Sequence, residues 1–185
     1  MDKIIALDQS TTATGVAIFK GIKLIDYFLI KPKSSKKIKC IEKEYNKTSH
    51  VYSVKMPEET YEITLNRITS ITDILSEVFK KEKPNKVYFE DVFENSNPKG
   101  FKSLSRLQGF IAHLCHINNI PYEIIEESKW ITAWGTYSNK IKRTERKADV
   151  MNKVNHVYNL DIKINDISDA IGIGKYAVSK NKEDN

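Results

Sequence analysis

Two apolar segments of this chain run into acidic residues. Lys3-Ile4-Ile5-Ala6-Leu7 ends on Asp8, and Val87-Tyr88-Phe89 ends on Glu90. Near the C terminus, Asp166-Ile167-Ser168-Asp169 spaces two carboxylates three apart, which on a helix puts both on one face. If a crossover helix joins the first two segments, they lie side by side as parallel strands. Their acids then emerge at one end of a sheet, where open α/β folds place their sites. Four converging carboxylates repel, by roughly 4 kcal/mol per pair at about 4 Å and an effective dielectric of 20. A divalent cation resolves that repulsion. Oxygen donors alone favour Mg²⁺ or Mn²⁺ over zinc, and two such ions about 3.5–4 Å apart suit in-line displacement at a phosphodiester. The plain alternative is that each acid is a solvated strand end or helix surface, as most Asp and Glu are. That alternative does not explain why apolar strands should stop at acids.

The elements that must position these acids can be read from periodicity. Lys3–Asp8, Gly15–Lys20 and Lys23–Ile30 read as three strands of an antiparallel meander, joined by the small-residue turn Thr11–Thr14 and by Lys20-Gly21. Lys31–Lys39 carries five lysines, and with the polar stretch to about Lys55 it reads as a long loop. A helix is expected from Pro57-Glu58-Glu59 through Tyr61, Leu65, Ile68, Leu75 and Phe79, stopped by Pro84. Val87–Glu90 is then a strand, Asn95–Gly100 a loop, and Leu104, Leu107, Ile111 and Leu114 mark a second amphipathic helix. Tyr122–Ile125 reads as a strand, Trp130–Gly135 as a helical turn and Ser138–Lys147 as a basic loop. Arg146–Tyr158 and Asp166–Val178 read as two last helices. The order βββ-α-β-α-β-α-α implies an α/β fold with a five-stranded mixed sheet, an antiparallel meander plus two parallel strands, and helices on both faces.

Composition excludes several classes. The 185 residues are 40% hydrophobic with 10% aromatics, which is a folded chain able to bury a core. Cys40 and Cys115 cannot build a disulfide framework or a zinc site, and read as ordinary thiols in a reducing cytosol. Met1–Leu7 has neither the pattern of a secretory leader nor that of a membrane span, so a cytoplasmic protein with no membrane partner is expected. Thirty basic against 24 acidic residues give a net charge of +6, which raises the prospect of a polyanionic partner.

The acidic motifs carry a family resemblance. Ala6-Leu7-Asp8-Gln9-Ser10 with Thr14-Gly15 resembles the opening motif of the RuvC Holliday-junction resolvases, members of the ribonuclease H-like superfamily. Phe89-Glu90-Asp91-Val92-Phe93 is similar to their second acidic motif, and Asp166-Ile167-Ser168-Asp169-Ala170 to their terminal D-x-x-D-A. The motifs occur in family order and span most of the chain outside roughly 31–56. The resemblance implies one ribonuclease H-like nuclease domain over 1–185, with a lysine-rich insertion around 31–56. It implies a crossover junction endodeoxyribonuclease of recombination or repair that leaves 5′-phosphate and 3′-hydroxyl ends. Asp8, Glu90, Asp166 and Asp169 would bind two Mg²⁺ ions, with Mn²⁺ substituting, and no nucleotide cofactor. Lys147 would approach the scissile phosphate, Phe93 would stack on unpaired junction bases, and Lys129 and Arg143 would contact DNA, with Lys140, Lys142 and Arg146 as substitutes. For Phe93 the competing reading is a core aromatic, and for each cation a solvated surface charge. The chain departs from the family pattern at Gln9, where a glycine is usual, in the long insertion, and in the helix after Phe101. Short lysine- and asparagine-rich members occur in phages, so a viral origin stays open.

The partner expected is branched DNA, chiefly four-way junctions, bound by a homodimer whose two-fold axis matches two equivalent strands. The helix Lys102–His116 is the candidate interface, with Leu104, Leu107 and Ile111 competing as core. A broader branched-DNA or flap nuclease is the main alternative, because the same site cuts any phosphodiester presented to it. A silent nucleic-acid-binding protein would lack one of the acids. A fragment of an actin-like phosphotransferase, suggested by Leu7-Asp8-Gln9-Ser10-Thr11-Thr12, would need a second domain. The lysines of 31–39 are either an added phosphate contact or a solvated loop.

Overall fold

The computed structural model describes residues 2–38, 41–57, 63–94, 97–135 and 142–183. Seven strands form one sheet in the order β4-β5-β3-β2-β1-β6-β7. They are β1 (Lys3–Asp8), β2 (Thr14–Lys20), β3 (Lys23–Ser35), β4 (Glu42–Asn46), β5 (Val51–Pro57), β6 (Lys86–Glu90) and β7 (Tyr122–Ile125). Helices α1 (Ile63–Glu82) and α2 (Pro98–Ile117) pack on one face; α3 (Glu127–Ala133), α4 (Arg143–Tyr158) and α5 (Asn165–Glu183) pack on the other. Among the described residues no helix is long and apolar enough to cross a membrane.

The alternation of β1 shows why both faces are covered. Ile5 and Leu7 join Ile68, Ile71, Leu75, Leu107 and Ile111 on the α1–α2 side, whereas Ile4 and Ala6 meet Ile167, Ala170, Ile171 and Ile173 on the α5 side. A strand buried on both faces reads as a continuous apolar run, as Ile4–Leu7 does. β1 pairs antiparallel with β2, Asp8 opposite Gly15, and parallel with β6, Leu7 opposite Phe89. Asp8 and Glu90 therefore leave the sheet at the same end.

Two expectations are corrected. The sheet has seven strands instead of five, because the lysine-rich stretch read as a loop continues β3 to Ser35 and adds the hairpin β4–β5. β5 runs parallel to β3, from Leu29 opposite Val51 to Ser35 opposite Pro57. The polar surface of this stretch hid a half-buried pattern, in which Pro32, Val54 and Met56 are buried and the residues between them are partly or fully exposed. Tyr45 stacks on its cross-strand partner Tyr52 at 4.3 Å, Tyr52 meets Phe28 edge-on at 5.0 Å, and Lys43 reaches Glu77 of α1 at 2.8 Å. The second correction is to helix ends. Pro57 closes β5 rather than opening a helix, and residues 58–62 lie outside the described residues, as do 95–96 and 136–141. Arg143–Glu145, expected as loop, is the first part of α4, which begins three residues before the expected Arg146.

Helix α5 lies close against the meander. A Cβ on Gly15 would lie 1.8 Å from the backbone oxygen of Asp166, and one on Gly174 would lie 2.3 Å from the Phe19 ring. Gly109, on the exposed side of α2, has nothing within 4 Å. Gly15→Ala should therefore lower the melting temperature by at least about 5 °C, since overpacking costs roughly 1–3 kcal/mol and more where backbone is the obstacle. Gly109→Ala should raise it by about 1–3 °C through helix propensity. Thermal melts of the two variants beside wild type check both directions, and a Gly15→Ala protein as stable as wild type would refute the close contact.

Candidate active site

At the shared end of β1 and β6 the chain builds a small buried hollow lined by Asp8, Glu90, Glu127, Trp130, Arg143, Arg146, Lys147 and Asp169, among others. Strand ends supply Asp8 and Glu90. The first turns of α5 supply Asp166 and Asp169, pressed toward Asp8 by the Gly15 contact. Helix α4 brings Lys147, whose Nζ lies 2.8 Å from Asp169 Oδ2. Asp8 and Asp169 are buried, and Asp166 is partly exposed. The turn between β1 and β2 is closed by Thr14, fully buried, whose hydroxyl donates to the Ser10 carbonyl at 2.8 Å.

Burial and mutual repulsion govern the charges. Burial pushes the Asp8 carboxyl well above the usual range, and Asp169 and Glu90 add to this against the pull of Lys147. Burial likewise lifts Glu90, to about 7, although the Trp130 indole opposes it; Glu127 and Asp169 raise it further. Asp169 is raised by burial and held back chiefly by Lys147. Burial alone would lower the Lys147 ammonium, but Asp169 and Asp8 hold it above its ordinary value.

Several positioning contacts were not read from the sequence. Trp130 Nε1 donates to Glu90 Oε1 at 2.9 Å, and its ring lies so close to α5 that a Cβ on Gly172 would stand 2.9 Å away. Gln9 Nε2 donates to the Glu90 carbonyl and its Oε1 accepts from the Glu90 N–H at 3.2 Å. Arg146, expected as a spare DNA contact, pairs with Glu127 at 3.1 Å. The Trp after β7 and the Gln after Asp8 were visible as residues, but their partners are distant in sequence.

Of the residues singled out from sequence, Asp8, Glu90, Asp169, Lys147 and Arg143 come together, and Asp166 is near enough to act electrostatically on Asp8 and Asp169. Lys129 does not join them: it is exposed and pairs with Glu126 at 3.0 Å. Phe93 is 56% exposed, which removes its reading as core, and with Gln9, Glu90, Leu104, Arg143 and Arg146 it lines a second hollow of about 280 Å³ beside the first. Leu107 and Ile111 of α2 are core, and the large apolar residues of that helix open to solvent are Phe110 and Ile117.

Among the described residues no three His, Cys, Asp or Glu side chains are gathered tightly enough to hold a cation as they stand. The donor set nevertheless fits one. Asp169 Oδ1 is buried without a hydrogen-bond partner, a costly state for a carboxylate oxygen, and its neighbours are all-oxygen donors whose repulsion a cation would relieve. Asp8, Glu90, Asp166 and Asp169 are the residues that would hold it.

The acids stand at the open end of a mixed α/β sheet, in which β1–β3 form an antiparallel meander and β6 and β7 continue parallel to β1. The structure matches that of Thermus thermophilus RuvC in complex with a Holliday junction substrate with a TM-score of 0.69 and 13% identity, over 98% of this chain and 96% of that one. A second Thermus thermophilus RuvC structure gives 0.66 and 14% over the same shares. The yeast mitochondrial Holliday junction resolvase Ydc2 gives 0.51 and 12%, over 95% of this chain and 77% of that one. No protein-family model matches the sequence, and no curated protein does. The chain has the fold of the RuvC-type resolvases.

The raised Glu90 carboxyl has a consequence for stability. A group at about 7 in the folded state and 4.5 otherwise contributes stability while protonated, below pH 4.5, and loses it as the pH rises to about 7. In metal-free melts wild type should lose more stability than Glu90→Gln across that window, by up to about 3 kcal/mol. Parallel pH profiles for the two proteins would contradict this account.

Proposed function

We propose that the protein is a metal-dependent, structure-selective DNA endonuclease that resolves four-way junctions by paired nicks. One observation carries the proposal: Asp8, Glu90 and Asp169 converge with Lys147 at the open end of a sheet whose fold matches RuvC over nearly the whole chain. Bound Mg²⁺, or Mn²⁺ in its place, would activate the attacking water and stabilise charge at the phosphate and leaving oxygen. Asp8, Glu90, Asp166 and Asp169 supply the oxygen donors. Trp130 and Gln9 hold Glu90 in place, one by its carboxylate and the other by its backbone. Lys147 balances Asp169 and offers a positive charge to the scissile phosphate. Arg143, exposed on the rim, is available to a neighbouring phosphate, whereas the Glu126 partner of Lys129 argues for a lesser role. The products are a 5′-phosphate and a 3′-hydroxyl. Two such sites in a homodimer would nick the two equivalent strands, with the exposed Phe110 and Ile117 of α2 as the apolar surface for pairing.

Asp8→Asn removes charge with little change in volume. It should keep the fold and junction binding while abolishing cleavage in Mg²⁺, measured on matched four-way, three-way, flap and linear substrates. An Asp8→Asn protein cutting at the wild-type rate would overturn the assignment, and equal wild-type cleavage of all four substrates would favour a broader branched-DNA nuclease.

Selectivity is assigned to Phe93. An exposed ring three residues beyond Glu90 can stack on an unpaired base at an opened junction, worth about 1–3 kcal/mol. Phe93→Ala should reduce junction cleavage by one to two decades while leaving the melting temperature within about 2 °C of wild type, because little packing is removed. Unchanged junction cleavage by a folded Phe93→Ala protein would remove the ring from the account.

A further inference from the structure

The extension of the sheet has a face that the proposed chemistry does not use. β3 pairs with β2 as far as Ile30 opposite Thr14 and then outruns it by five residues, with β5 alongside to Ser35 opposite Pro57. Pro32, Val54 and Met56 are buried, the last two in the α1-side core. Strand alternation turns Lys31 and Lys33 to the opposite face, where Leu29 meets the α5 layer, and both are exposed. Lys55 stands opposite Lys33, and Lys36 and Lys37 follow, also exposed. Among the described residues, Lys55 has Glu42 at 3.8 Å, and none of the other four has an acidic partner.

Local physics does not favour this arrangement. Lysine is a poor strand former, and like charges directly opposite one another are destabilising. Lysines do protect sheet edges from unwanted pairing, and β3 past Ile30 is open on its β2 side, but Lys55 lies between β3 and β4 and guards no edge. The position of the face supplies a reason. Leu29, Gly15 and Asp8 lie in one row across the sheet. Lys31 and Lys33 continue past that row at the carboxylate end, which by strand spacing and rise puts Lys31 roughly 10–15 Å from Asp8. A duplex turn is about 34–36 Å, so one duplex arm can run from the site onto this face.

We propose that the lysine face of the β3–β5 ribbon, centred on Lys31, Lys33 and Lys36, is a track for the phosphate backbone of a DNA duplex arm extending from the active site. The proposal rests on the reading of this protein as a DNA nuclease, but needs only duplex, not a four-way junction. The partner is defined by charge: a regular polyanion long enough to span the ribbon while its cut site lies at Asp8. The buried Pro32, Val54 and Met56 hold the track on the core, so its charges stay in place without the DNA.

The test is binding of the full chain without divalent ions, as a function of salt. The probes are four-way junctions with arms of two helical turns or half a turn, and a linear duplex of two turns. The triple variant Lys31→Gln, Lys33→Gln, Lys36→Gln should bind the long-armed junction with a slope of log affinity against log salt shallower by about 2–3, at about 0.9 for each phosphate no longer neutralised. On half-turn arms, about 17 Å long, the loss of slope should be smaller, about 0.9, because such an arm reaches Lys31 but stops short of Lys36. The corresponding triple Lys→Arg variant should restore the slope, and melting temperatures should be unchanged or raised as like-charge repulsion is relieved. An unchanged slope, an equal weakening on long and short arms, or an Arg variant as weak as the Gln variant would overturn the track. Should the triple variant not fold, Lys33→Gln and Lys36→Gln singly should each shift the slope by about 0.9, and no shift in either overturns it. If wild type shows no preference for junctions while the slope on linear duplex still depends on these lysines, the track stands and the junction reading falls.

Discussion

The site depends on one close approach. The first turn of α5 lies so near β2 that the Asp166 carbonyl occupies the space a side chain at position 15 would need. Gly15 is the register partner of Asp8, so this contact sets how far the acids of the helix stand from the acid of the strand. Ala6, Ala17 and Gly174 keep the same interface thin further along, and Gly172 does so where Trp130 crosses. Larger side chains in these places would still satisfy an apolar core. They would lift α5 off the sheet and carry Asp169 away from Asp8, so the small residues serve geometry more than burial.

Holding the acids together in a buried place has an electrostatic cost, and the protein meets it unevenly. Asp8 and Asp169 are desolvated and close to one another, and Lys147 is the cation set against them. Glu90 receives the Trp130 indole N–H but also feels Glu127, which Arg146 balances on its far side. The compensation is incomplete, since Asp169 Oδ1 keeps no partner. A cation bound there would gain the repulsion relieved as well as its own coordination.

Much of this was legible in the sequence, for identifiable reasons. Ile4–Leu7 and Val87–Phe89 are runs buried on both faces, so strand ends and their acids could be placed by pattern alone, and the three-residue spacing of Asp166 and Asp169 needed only a helix. The hairpin β4–β5 was not legible. Glu42–Asn46 is exposed throughout, so its local hairpin with β5 carries no apolar alternation and reads as a polar loop, and the pairing of β5 with β3 joins residues well separated in sequence. The contacts of Trp130 and Arg146 are hidden for a similar reason: their partners Glu90 and Glu127 come from other elements. Phe93 was undecidable, since a single aromatic after a strand fits core or surface equally until the loop is placed.

Gln9 shows how a departure from a family pattern can belong to the design of the site. The backbone ladder between β1 and β6 stops at Leu7 opposite Phe89, one step before the acids. Beyond it the strands must diverge if Asp8 and Glu90 are to stand apart with room between them, and divergence leaves the Glu90 peptide groups without ladder partners. The buried Gln9 amide supplies both, a donor for the carbonyl and an acceptor for the N–H, with Gln108 adding a second donor at 3.3 Å. An amide on a two-carbon stem reaches where backbone does not, so the strands separate and stay fixed. A glycine there would leave Glu90 N–H and C=O to water or to other residues. In this chain the spacing of the two strand-end acids is therefore held by a side chain, next in sequence to the acid it helps to position.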